Sequence, residues 1–175
     1  MLGRKDDALR AYELMLTTAA ANRNDLTGYA TLLETTTPLK AVPIYARAHQ
    51  QFGDTYFAIQ AFYLQDRYGT PEQTRALLQR LVQRSPTLEA DANFLAQRAS
   101  FWLRVGDYAA AAHDARRALA RAPQLHDTRA TLIWALIANS AANSAANFEL
   151  RTTLLTSSAI ARNEPTLWDA LAAGW

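Results

Sequence analysis

With 175 residues, half of them hydrophobic and 19% charged, the chain is long enough for a sizeable core and too apolar to be disordered. Its formal net charge of +2 comes from arginine, with Lys5 and Lys40 the only lysines, and acidic residues are interleaved, which argues against a nucleic-acid-binding face. Without cysteine there is no disulfide framework, thiolate nucleophile or Cys-based zinc site, and the longest strongly apolar run, 132–138, is far too short to span a bilayer.

The helix formers alanine, leucine and arginine are abundant, and Val, Ile and Thr form no alternating runs, so an all-α chain is expected. Residues 3–12 read as one helix with Ala8 and Tyr12 on a common face, and Asp6 and Asp7 at its start complement the helix dipole. Leu26, Ala30 and Leu33 mark a second helical stripe; Thr37-Pro38 restarts a helix carrying Val42, Tyr45, Ala46 and His49 as far as Gly53. Further on, Phe62, Thr74 and Pro86 fall twelve and twelve residues apart. Thr70 between them sits at a cap and Pro71 at the first helical position.

The clearest segment is 92–125. A helix over about 92–105 places Ala99 at a crossing point and Trp102 beside it. A Gly106-Asp107 turn opens a second helix, on which Ala111, Ala115 and Ala118 form a small-residue stripe ended by Pro123. Ala99, Ala111 and Pro123 repeat the spacing of twelve and twelve. Pro86 and Pro123 are 37 residues apart, which puts a three-residue insertion near 88–91. After Pro123, residues 128–138 form another helix with Leu132, Ile133 and Leu136 inward. The doubled Asn-Ser-Ala-Ala unit of 139–147 reads as a duplicated interhelix loop in preference to a functional lid, followed by a helix over 148–162. Pro165 ends that helix, and 166–169 opens a final short one, with Asp169 in the place of a capping-box acid and Trp168 and Trp175 either covering the last face or belonging to an unfinished next unit.

These spacings resemble the tetratricopeptide repeat, a helix pair of 34 residues with small residues at fixed packing points and a closing proline. The resemblance implies an all-α right-handed superhelix, a solenoid of antiparallel helix pairs, with about three full repeats and a partial unit at each end. On the resemblance, 1–22 is a partial repeat, 23–54 a degenerate one, 55–88 and 92–125 repeats, 126–165 an irregular repeat, and 166–175 a capping or partial helix. Phe62 departs from the family's small residue, which suggests a wider helix pair there. The first segment reads as a second helix without its partner. It is therefore expected to be a piece of a larger protein, able to self-associate through its end helices.

In such arrays first helices line the concave face. Carried onto this chain, the resemblance points to Asn24, Thr31, Tyr56, Tyr63, Asp66, Arg67, Asn93, Gln97, Ser100, Arg104 and Trp134 as partner-binding residues. Amide side chains can bond a ligand's backbone, and Tyr and Trp supply rigid contact area. The lysine-asparagine set that clamps a C-terminal carboxylate in chaperone-type members has no match, although Arg67 and Arg104 could hold an anion differently. The arginine clusters 75, 80, 84 and 117, 121, 129 read as solvated faces of second helices.

No catalytic residue, cofactor or metal ligand is expected. His49, His113 and His126 have no second ligand at helical spacing, and no nucleophile elbow, P-loop or dinucleotide-binding glycine pattern occurs. Glu34, Asp66 and Glu89 have no evident mate in the sequence. The expected function is binding of a peptide or partner subunit in the concave groove, with no nucleic acid partner and no membrane insertion. The alternative is a scaffold in a larger assembly, such as the periplasmic repeat region of a bacterial outer-membrane export or adsorption protein. The sequence assigns no compartment, and a soluble segment of either the bacterial cytoplasm or periplasm fits it.

Overall fold

The computed structural model describes residues 3–18, 21–140, 144–158, 169–170 and 172–173, and among them every element is helical. Contacts divide the chain into two compact units, Met1–Leu88 and Glu89–Trp175.

In the first unit, α1 (Gly3–Thr18) packs on α2 (Arg23–Glu34) by stacking Tyr12 on Tyr29, with ring centroids 5.6 Å apart. Gly28 makes room for this, since a Cβ there would stand 2.5 Å from the Tyr12 hydroxyl. A capping box opens α2: the Asp25 N–H donates to Asn22 Oδ1 at 3.1 Å and the Asn22 N–H to Asp25 Oδ2 at 3.0 Å. Leu26, Ala30 and Leu33 are buried, as their stripe requires. Pro38 begins α3 (Pro38–Phe52), and Gly53 closes it at φ 70°, a left-handed cap that favours glycine. Asp54 caps α4 (Thr55–Tyr68) through the Tyr56 N–H at 2.9 Å.

The expected Thr70 cap opens α5 (Pro71–Arg84), completed by Gln73 into a reciprocal box. The α4–α5 pair is built differently from the later ones. Phe62 is fully buried where the family sets a small residue, and α5 touches α4 far less extensively than α3 touches α4 or α7 touches α6. Buried Thr74 links the two by donating its hydroxyl to the Gln65 carbonyl at 3.1 Å.

The three extra residues before the next pair are taken up in a 3₁₀ turn, Pro86–Ala90. In the second unit Asp91 caps α6 (Ala92–Arg104). Gly106 at φ 82° then reverses the chain, and the Asp107 N–H reaches back to the Trp102 carbonyl at 2.9 Å. Asp107 in turn caps α7 (Tyr108–Arg121) through the Ala110 N–H at 3.1 Å. Ala99, Ala111 and Ala115 form the crossing, each without exposed surface, and join Ile133, Leu136 and Leu154 in one core. Replacing Ala111 by Leu is expected to cost about 1–3 kcal/mol, because no volume is free at this contact. Urea unfolding checks this, and an unchanged midpoint contradicts the packing.

Two expectations shift at the end of the chain. The helix α8 runs His126–Ser140 and α9 runs Ser144–Ser158, so Asn139, Ser140 and residues 144–147 are helical rather than loop. Alanine makes up half of the doubled unit, and its propensity outweighs the modest helical penalty of Asn and Ser. Residues 141–143 lie outside the described residues, as do 159–162 of the expected last long helix, Pro165, Trp168 and Trp175. Asp169 is helical.

Candidate functional site

In the first unit, Asn24 and Thr31 are exposed on α2, two turns apart on one face. Tyr56, Tyr63 and Arg67 follow a single stripe of α4, flanked by Asp66. Arg67 Nη1 donates to the Tyr63 hydroxyl at 2.7 Å, and the guanidinium carbon stands 5.9 Å from the Tyr63 ring centroid and 5.8 Å from that of Tyr68. The hydrogen bond to Tyr63, with smaller help from the charges of both phenols, holds the Arg67 pKa above its ordinary value.

Tyr56 is half exposed and is held from below. Its ring meets buried Tyr45 edge-on at 6.4 Å. The Tyr45 hydroxyl donates to Glu34, giving that carboxylate a mate that spacing alone does not reveal. Burial, reinforced by the Glu34 bond and partly offset by Thr31, pushes the Tyr45 phenol well above its usual value. Arg23 pairs with Asp54 and lies 5.5 Å from the Phe57 ring centroid, tying the start of α2 to the α3–α4 turn.

The second unit gathers Asn93, Gln97, Ser100 and Arg104 on one stripe of α6, at offsets of 4, 7 and 11 from the first. Asn93, Ser100 and Arg104 are exposed and Gln97 is half buried. Ser100 donates to the Ala96 carbonyl of its own helix at 3.2 Å, and the Arg104 guanidinium lies over Phe101 at 5.7 Å. The opposite face of α6 buries Phe94, Leu95, Ala99 and Phe101. Trp134 on α8 keeps 38% of its surface exposed, so its indole is available for contact.

Residues 2–175 match the family model described as Tetratricopeptide repeat. The chain belongs to the tetratricopeptide repeat family. No curated protein and no solved structure matches it. Repeats of this family generally mediate protein–protein interaction and are typically noncatalytic. Among the described residues of this repeat protein no group of His, Asp and Glu could hold a metal ion, and no helix is long and apolar enough to cross a membrane.

Spacing also fails to reveal a charge cluster buried beneath the stripe of α6. Arg98, 8% exposed, grips Asp114 of α7 through Nε at 2.6 Å and Nη2 at 2.8 Å, and the Trp102 indole N–H donates to the same carboxylate at 3.1 Å. Glu89, read from the sequence as unpaired, lies on the 3₁₀ turn and is bonded by both Arg98 and Arg117; Arg117 Nη1 reaches it at 2.6 Å. These bonds, that of Arg98 foremost, hold the Glu89 carboxyl down at about 2 against the opposing effect of burial. Burial would lower the Arg98 pKa, but its bonds to Asp114 and Glu89 outweigh this and raise it. The signal available in the sequence was a charge on each apolar stripe: Arg98 beside Ala99, and Asp114 beside Ala115.

Arg117 therefore does not belong to a solvated face. Arg129 lies on α8, a first helix, and donates to the Pro123 carbonyl at 2.9 Å. Arg116 Nε pairs with Glu149 at 2.5 Å and ties α9 to α7.

Proposed function

We propose that this chain is a noncatalytic docking module whose first helices, α2, α4, α6 and α8, receive a peptide segment or partner subunit on the concave wall expected of its family. The observation that carries this reading is the stripe of α6. Asn93, Gln97, Ser100 and Arg104 present amide, hydroxyl and guanidinium groups on one face, while the other face is anchored in the core and in the Arg98–Asp114 cluster. A polar stripe on a rigid helix can read an extended chain at low entropic cost. Tyr63 with Arg67 on α4, and Trp134 on α8, add the aromatic and arginine groups that dominate protein contacts. A protein partner is favoured over nucleic acid because Arg23, Arg98, Arg116 and Arg117 are all engaged with carboxylates.

The test is capture of partners from the source organism with wild-type and Arg104→Glu protein, then affinity measurement on what is captured. Arg104→Glu should leave helicity intact and weaken an acidic or carboxylate-bearing partner about tenfold.

A second reading, a scaffold within a larger assembly such as the periplasmic repeat region of a bacterial export or adsorption protein, draws on the ends. Leu14 on α1 is 66% exposed and Leu155 on α9 is 63% exposed. If Leu14→Asp or Leu155→Asp abolishes capture while Arg104→Glu has no effect, the scaffold reading replaces the groove.

A further inference from the structure

The first unit carries a second surface, away from the stripe of first helices. Between α3 and α5 lies a cavity of about 190 Å³, walled by Ala46, His49, Gly53, Leu77 and Leu81. Beside it lies a more open depression of about 370 Å³ bordered by Leu39, Val42, Pro43 and Arg47, and Ala46, Gln50, Leu77, Arg80 and Arg84 line both. The cleft lies beside the loosely packed α4–α5 pair. The His49 ring is fixed in its wall, since Nδ1 lies 2.9 Å from the Asp54 carbonyl, which can only accept.

Charge around this cleft is of one sign. No carboxylate lines either part. Arg47, Arg80 and Arg84 are exposed, and none forms an ion pair among the described residues. Arg80 directs Nε to the Ala76 carbonyl at 3.2 Å, and Arg84 reaches across to Gln50 at 3.3 Å. They differ in this from Arg23, Arg98, Arg116 and Arg117, each of which faces a carboxylate of the chain itself. An apolar cavity of about 150 Å³ is enough to take benzene, so this one admits a single leucine or phenylalanine side chain.

We propose that the α3–α5 cleft docks an acidic amphipathic peptide segment of a partner protein, one apolar side chain entering between Ala46, Leu77 and Leu81 while flanking carboxylates meet Arg47, Arg80 and Arg84. Bidentate geometry suits arginine to this role, and exclusion of water around the apolar anchor strengthens the charge pairs. The proposal rests on the protein-binding character of the family but not on the first-helix faces.

The experiment is selection of a displayed random-peptide library on the full chain, followed by titration of the winning synthetic peptide. The selected sequences should centre an apolar residue among Asp and Glu. Their affinity should fall about tenfold or more in the double variant Arg80→Glu/Arg84→Glu, and also in Ala46→Trp, which fills the cavity without changing charge. Arg104→Glu should have no effect, which separates this cleft from the first-helix surface. Far-UV circular dichroism confirms that the variants fold. A consensus without acidic residues, affinity that survives both cleft variants, or release of the peptide by inorganic phosphate or RNA at comparable concentration would overturn the proposal.

Discussion

Replacing Asp114 by Ala is expected to destabilise the unit Glu89–Trp175 by about 3–5 kcal/mol, the cost of leaving a buried cation without its buried partner. Arg98 would keep Glu89, but it would lose both short bonds to Asp114, and the Trp102 N–H would lose its acceptor. Unfolding in urea followed by tryptophan fluorescence isolates the effect, because Trp102, Trp134, Trp168 and Trp175 all lie in this unit. Glu89→Gln should cost less, about 1 kcal/mol, since that side chain is 33% exposed and water can replace part of what it gives. The double replacement Arg98→Met/Asp114→Leu should recover most of the loss, because it removes both charges together. An Asp114→Ala cost below about 1 kcal/mol would show that the cluster is not buried as described.

Acid should act on the same cluster. The Glu89 carboxyl titrates at about 2 in the folded chain against an ordinary value of 4.5. Its contribution is therefore complete above about pH 4.5 and is lost as pH falls toward 2. Glu89→Gln should flatten the stability profile in that window.

Phe62→Ala should destabilise the first unit by about 3–5 kcal/mol, as expected for a fully buried aromatic whose neighbours cannot collapse onto the space. The family register sets Phe62 where the 92–125 pair has Ala99, and α5 makes limited contact with α4. Loss should appear in hydrogen exchange as faster opening of α5 than of α2 and α3. A cost below about 1 kcal/mol would mean that α5 closes onto α4 and that the phenylalanine is not what holds them apart.

The elements that could be read from the sequence are those governed by local chemistry. Thr70 with Pro71, Pro38, Gly53, and Asp107 after Gly106 each satisfy or end a helix within a few residues of themselves, so their type and position reveal the boundary. The small-residue stripe of α7 was legible because close helix approach tolerates little else. The Arg98–Asp114 pairing was not, because it depends on the rotation of α6 against α7, which no spacing within one helix encodes. Glu89 was hidden for a related reason, since the inserted turn carries it to two arginines 9 and 28 residues away. The doubled Asn-Ser-Ala-Ala unit misled because its residues are acceptable in either state, and context decided for helix. For the candidate surface, the resemblance named positions that lie outside the core, as with Asn93, Ser100 and Arg104. It could not show that Tyr63 already bonds Arg67 or that Tyr56 rests on Tyr45.

The central claim, that first helices carry the partner contact, is tested most directly by site-specific photo-crosslinking in the source organism. A photoreactive residue is placed in turn at Tyr63, Gln97 and Trp134 on first helices, at exposed His113 and Ala120 on α7, and at Leu14 and Leu155 on the end helices. The account predicts one shared protein adduct from the first-helix positions and none from α7 or the ends. Adducts from Leu14 and Leu155 alone, with the first-helix positions silent, would contradict it.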